Sequence, residues 1–248
     1  MKVPVVRGVI ARRLLVNYRV DPAAIAAVLP SPFRPKLVAG HAIAGICLIR
    51  LTEVRPRGLP AALGVGSENA AHRIAVEWGE GEARQTGVFV PRRDTSSHLN
   101  TLLGGRLFSG DHHLARFEVE EAADRFSVAL RSSDGHTRVA VVGRVAAALP
   151  PGSVFPSLEA ASAFFEAGAM GYSATRRPGE FDGLELRSEG WHVEPLAVEH
   201  VMSSFFEDPT RFPRGAVTFD SALVMRGVSH EWHARPRLCS AGPVAPAA

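Results

Sequence analysis

Residues 42–54 carry apolar side chains on both phases of a strand's alternation, and any fold of this chain must accommodate that. Successive side chains of a strand point to opposite faces, so such a run asks for cover on both. Residues 9–20 read as a strand of similar character, and 65–78 and 86–90 as further strands. The stretch 113–121 differs: Leu114, Arg116, Glu118 and Glu120 share one face, while Ala115, Phe117 and Val119 share the other. One of its faces is therefore wet. Residues 125–131 put Phe126, Val128 and Leu130 on one face, and Asp134-Gly135 turns the chain into 136–147, a β-hairpin. Later strands are expected at 184–188 and 217–225.

Helices are few. Asp21-Pro22 supplies an N-cap and an N1 proline to a helix over 23–29 that Pro30 stops. Ser157 caps a helix that ends at Gly168, and a shorter one fits 97–103, closed by Gly104. The expected class is mainly β (α+β), with an antiparallel barrel- or cone-like β core and a few short helices. Closure would remove the exposed edges that so many strands would otherwise present.

With 248 residues, 46% hydrophobic and 21% charged, the chain can bury a large core without staples. No repeat or long linker divides it, which predicts a single domain over 1–239 and a disordered tail over 240–248. Cys47 and Cys239 are too few for a disulfide framework or a four-ligand zinc site, so a reducing compartment is expected. Arg7, Arg12 and Arg13 interrupt the N-terminal apolar stretch, and no run reaches the roughly 18 apolar residues of a membrane span. A soluble, cytoplasmic protein with no membrane partner follows as the expectation. Net charge is only +3, since 25 acidic residues are interleaved with 28 basic ones, and no basic stripe invites nucleic acid. Only Lys2 and Lys36 are lysines, so the other 26 of the 28 basic residues are arginines.

Several motifs fail on context. Gly64-Val65-Gly66 lacks the third glycine and the helix of a dinucleotide fingerprint. Gly171-Tyr172-Ser173-Ala174-Thr175 lacks the last glycine of a nucleophile elbow. His112-His113 and His230-Glu231-Trp232-His233 hold imidazoles, but adjacent strand residues face opposite ways and the second pair is not at i, i+4 on a helix. No metal and no cofactor is expected. The glycines of Leu103-Gly104-Gly105-Arg106-Leu107 suit a helix C-cap or a close backbone approach to a ligand equally well.

Three separated segments together resemble the acetoacetate decarboxylases. The first is Tyr18-Arg19-Val20-Asp21-Pro22-Ala23-Ala24-Ile25, running on to Leu29-Pro30-Ser31-Pro32-Phe33. The second is Ser67-Glu68-Asn69 on an expected strand, similar to the place of that family's active-site glutamate. The third is Phe89-Val90-Pro91-Arg92-Arg93-Asp94, where those enzymes have an aromatic-proline-lysine-lysine run. Order and spacing agree from Val9 to about Arg106, and the remainder looks like a bacterial branch of the same superfamily. The resemblance implies a barrel-like β core with its site inside.

The departure is chemical. In the decarboxylases the first lysine of the pair forms a Schiff base, whereas both positions here are arginine, which stays protonated and cannot be that nucleophile. The resemblance implies instead a lyase-type enzyme without a Schiff base, acting on an oxo acid or other anionic metabolite by decarboxylase, aldolase, dehydratase or tautomerase chemistry. Glu68 and Arg92 are its expected catalytic residues, with Arg19, Arg93 and Tyr18 binding substrate. A plainer role is open to each: Arg19 paired with an acid on a neighbouring strand, Glu68 in a structural ion pair, Arg92-Arg93 in a solvated turn, Tyr18 as a core ring. The alternative function is a non-catalytic small-molecule binding protein. The expected partner is a small anionic organic molecule, and self-association into a homo-oligomer is left open.

Overall fold

The computed structural model describes residues 5–103 and 110–240. In chain order the elements are β1 (Val6–Val20), α1 (Pro22–Val28), β2 (Arg34–Pro35), β3 (Leu37–Val38), β4 (His41–Pro56), β5 (Val65–Trp78), β6 (Gln85–Thr95), α2 (His98–Leu103), β7 (His112–Glu121), β8 (Arg125–Ser132), β9 (Arg138–Val145), α3 (Leu158–Ala167), β10 (Met170–Ala174), β11 (Glu180–Ser188), β12 (Glu194–Ser203) and β13 (Val217–Cys239). The class is mainly β with few helices, as the sequence implied.

One thirteen-stranded sheet closes on itself twice. The first circuit runs β13-β1-β4-β5-β6-β10-β11 and returns to β13; the second leaves β6 through β7, β8, β9 and β12 to reach β13 again. The strands β13, β1, β4, β5 and β6 belong to both circuits. That sharing is why 42–54 is apolar on both phases: Ile46 and Leu48 face one core with Val128, Leu130 and Val141, while Ile43 and Cys47 face the other with Leu223, Met225 and Phe165. Pairing is antiparallel except where β6 meets β7 and β10, two parallel contacts that an all-antiparallel reading misses.

The helices begin where capping chemistry places them. Asp21 accepts N–H bonds from Ala23 at 2.8 Å and Ala24 at 3.0 Å, with Pro22 in the first turn of α1. Ser157 accepts from the Ala160 N–H at 3.2 Å and starts α3, whose Ala161 and Phe165 are buried in the first circuit. The structure corrects the later strands. β13 continues to Cys239, fourteen residues beyond its expected end, through the left-handed Gly227 at φ +67; β10 and β12 had not been anticipated. Ser240, expected to open a tail, donates its N–H to the Gly179 carbonyl at 2.8 Å. The remainder of that tail, Lys2, and residues 104–107 lie outside the described residues. Among the described residues no helix is long and apolar enough to cross a membrane.

Candidate functional site

The seven strands of the first circuit wall a cavity of about 160 Å3, to which α3 adds Phe165 and α2 adds Asn100. The volume is comparable to the ~150 Å3 that accommodates benzene in an engineered protein core, which suits a ligand of a few heavy atoms. Its polar lining includes three arginines. Arg13 from β1, Arg73 from β5 and Arg93 from β6 all reach the wall, as do Cys47 from β4, Asn69 from β5 and His112 from β7.

Register puts them there. On β4, Cys47 pairs with Ala71 and with Leu15, and Arg13 pairs with Ile49, so side chains from three adjacent strands share the inward face. Arg73 is only 4% exposed; its Nε donates to Cys47 Sγ at 3.2 Å, its Nη2 bonds Asn17 Oδ1, and its guanidinium stacks 4.7 Å from the Phe165 ring. Arg13 donates from Nη2 to the same sulfur at 3.4 Å and lies over Trp191. Arg93 donates from Nε to Ser173 Oγ at 3.3 Å. Among the described residues no carboxylate pairs with any of the three. Two carboxylates do line the cavity, but Asp94 is engaged by Arg92, and Glu166 sits exposed on α3.

The electrostatics follow from that imbalance. Burial, partly offset by Cys47, brings the Arg93 guanidinium down to about 10, still charged near neutrality. Burial likewise lowers Arg73. Burial opposes ionisation of the Cys47 thiol, yet the charges and hydrogen bonds of Arg13 and Arg73 outweigh it and hold the thiol below its ordinary value. Burial and the nearby Arg93 push His112 down to about 4 against the pull of the Gly110 carbonyl, so its imidazole is neutral at pH 7.

Of the five residues expected at the site, only Arg93 lines this cavity. Glu68 is flanked by Ser67 and Asn69, which face the cavity, and by strand parity it points to the opposite side. There Arg12 and Arg50 bind it, Arg50 Nε at 2.6 Å, and Glu121 completes a four-residue ion cluster. Arg92 turns away as well, bonding Asp94 at 2.7 Å and Asp134 at 2.9 Å. Arg19 donates to the Gly152 carbonyl at 2.7 Å. Tyr18 is a core ring, 4.6 Å from Phe206 by centroid, and burial with Glu207 raises its phenol. The cavity thus takes Arg93 alone of the five, and strand parity turns Glu68 and Arg92 away from it.

Arg13 and Arg73 escaped the sequence reading although a signal existed. Each interrupts a run that is apolar on both phases, Arg73 standing on one face with Ala71 and Ala75, so a charge there had to be buried. Lys36 lies outside the main cavity, its Nζ 4.8 Å over the Phe164 ring beside a smaller recess behind Arg13 and Arg73. Among the described residues no group of three or more His, Cys, Asp or Glu is placed to hold a metal ion.

No curated protein matches the chain. Solved structures do. An acetoacetate decarboxylase from Legionella pneumophila superposes with a TM-score of 0.60 at 11% identity, covering 94% of this chain and 88% of that one. The enduracididine biosynthesis enzyme MppR, complexed with the condensation product of pyruvate and imidazole 4-carboxaldehyde, gives 0.60 at 15% identity over 96% and 90%. An acetoacetate decarboxylase-like enzyme from Sphingomonas wittichii RW1 gives 0.53 at 14% identity over 97% and 92%. The fold is therefore that of the acetoacetate decarboxylase-like proteins. Residues 10–213 match the model of DUF2071, described as an uncharacterized conserved protein, and the chain belongs to that family.

Proposed function

We propose that the chain is an enzyme acting on a small oxo acid or other anionic metabolite, held in the first circuit's cavity by Arg13, Arg73 and Arg93 and processed without a Schiff base. The observation that carries this reading is the set of three cavity guanidiniums with no carboxylate partner among the described residues. Removing a cation from water is costly unless it is paired, and a bound carboxylate supplies the pair, bidentately where the fork geometry allows. The same donors would stabilise an enolate or alkoxide as negative charge moves onto a carbonyl oxygen, worth roughly 3 to 4 kcal/mol for a well-placed group. His112, neutral and in the wall, can accept or relay a proton. No lysine among the described residues lines the cavity, which supports chemistry without an amine nucleophile. The MppR likeness makes pyruvate a sensible probe.

Pyruvate should raise the unfolding temperature, the stabilisation following RT ln(1 + [L]/Kd), about 2.7 kcal/mol at a hundredfold excess over Kd. Acetone, which lacks the carboxylate, should not. Arg93→Gln should remove most of the response. Equal shifts with acetone, or an undiminished shift in Arg93→Gln, would refute the anion reading. Turnover across a panel of 2-oxo and 3-oxo acids separates an enzyme from a binding protein, because stabilisation by these acids with no turnover of any leaves only binding.

A further inference from the structure

Cys47 has no role in carboxylate binding, yet two charged donors converge on its sulfur. It is 2% exposed, lies in the cavity wall at the middle of β4, and accepts N–H bonds from Arg73 Nε at 3.2 Å and Arg13 Nη2 at 3.4 Å. A neutral thiol is a weak acceptor and behaves as a small hydrophobe, for which the neighbouring Ile43, Leu15 and Leu51 would be sufficient company. Two guanidiniums directed at one sulfur form the shell of a thiolate instead. Arg73, itself 4% exposed, has no carboxylate partner among the described residues, so the sulfur is its nearest source of negative charge.

We propose that Cys47 is a nucleophilic thiolate in the wall of the anion cavity, placed to attack an electrophilic carbon carried by the acid that the arginines hold. The proposal rests on the anion reading of the cavity. With a 2-oxo acid the step balances without an oxidant or leaving group. The sulfur lone pair forms a C–S bond to the carbonyl carbon, the C=O π pair moves to oxygen, and the alkoxide takes a proton from water to give a hemithioketal. Reversal restores ketone and thiolate. The cations that hold the thiol below its ordinary value would also hold the developing alkoxide.

Alkylation tests this without knowledge of the natural substrate. In the full chain carrying Cys239→Ser, any mass gain from a thiol reagent reports Cys47, since these are the two cysteines of the sequence. Iodoacetate should carboxymethylate it, the C–S bond forming as iodide leaves, at a pH well below the ~8.5 of a free thiol. The rate should exceed that with neutral iodoacetamide by roughly tenfold or more, the gain expected of a cleft of one charge. Pyruvate should slow the reaction, and Arg13→Gln should move the pH profile upward and reduce the preference. An inert Cys47, in a chain whose exposed Cys239 reacts before substitution, overturns the proposal, as does an ordinary thiol profile with no preference for iodoacetate. If pyruvate stabilises the fold while Cys47 stays inert, the nucleophile falls and the anion cavity stands. If Cys47 reacts at low pH but neither iodoacetate preference nor pyruvate stabilisation is seen, the anion reading and the proposal built on it fall together.

Discussion

Arginine serves two opposite purposes in this chain, and neighbouring residues of β1 show both. Arg12, almost wholly buried, is neutralised by Glu68 and Glu121, whereas Arg13, one position on and facing the cavity, has no carboxylate partner among the described residues. The first arrangement is a closed ion cluster, and the second is the one on which the proposed anion binding rests. Glu68→Gln discriminates between them. It should cost about 1–3 kcal/mol, because Arg12 loses a charge-assisted partner but retains Glu121. At ~2–4 °C per kcal/mol for a chain of this size, the unfolding temperature should drop by several degrees. Pyruvate stabilisation should be unchanged. Loss of the pyruvate response in a variant of undiminished stability would return Glu68 to the site.

At the level of elements, alternation was legible from sequence while its absolute phase was not. Asp21, Pro22 and Ser157 announce α1 and α3, and the doubly apolar β4 announces two covered faces. Which face holds a cavity depends on partners more than a hundred residues away, such as β13 beside β1, and short motifs carry no record of that. The resemblance named Glu68, Arg92 and Arg93, and in those segments the cavity is lined by Asn69 and Arg93 but not by Glu68 or Arg92. β12 was missed because Glu194, Glu199 and His200 break its ten residues into short apolar steps. Gly45 shows how closely the shared wall is built. A Cβ there would run into the Val16 carbonyl oxygen and lie 3.3 Å from Arg73 Nη2. Gly45→Ala should destabilise by about 1–3 kcal/mol through overpacking. It should also weaken the pyruvate response, since Arg73 must shift, and thermal melts with and without pyruvate read both effects. Unaltered melts would show that β1 and β4 have slack the register does not suggest.

Across the whole molecule, closing two circuits around a shared wall buries His72 and His230, half-buries His112, and holds all three below the ordinary imidazole value. Burial, with Arg92 and Arg211 adding to it, brings His72 down to about 3. Burial and Arg93 bring His112 to about 4, and burial and Arg13 bring His230 to about 4. In the unfolded chain each titrates near ~6.5. As the pH falls below that value the unfolded state binds protons that the native state refuses. Their stabilisation is therefore complete above ~6.5 and is lost as pH falls towards about 4 for His112 and His230, and towards about 3 for His72. Each contributes a slope of up to ~1.4 kcal/mol per pH unit, so the three together remove up to ~4 kcal/mol for each pH unit of acidification, against a typical total of 5–15 kcal/mol. His230 gives the sharpest test because neither of its ring nitrogens has a hydrogen-bond partner among the described residues and its ring packs 4.5 Å from Trp232, so an aromatic hydrocarbon replaces it without orphaning another described group. In urea unfolding followed at neutral pH and at about pH 5, His230→Phe should equal or exceed the parent at neutral pH and lose about one third less stability on acidification. An identical loss in parent and variant would mean that His230 takes up its proton equally in the native and unfolded states, with neither burial nor Arg13 opposing its charge.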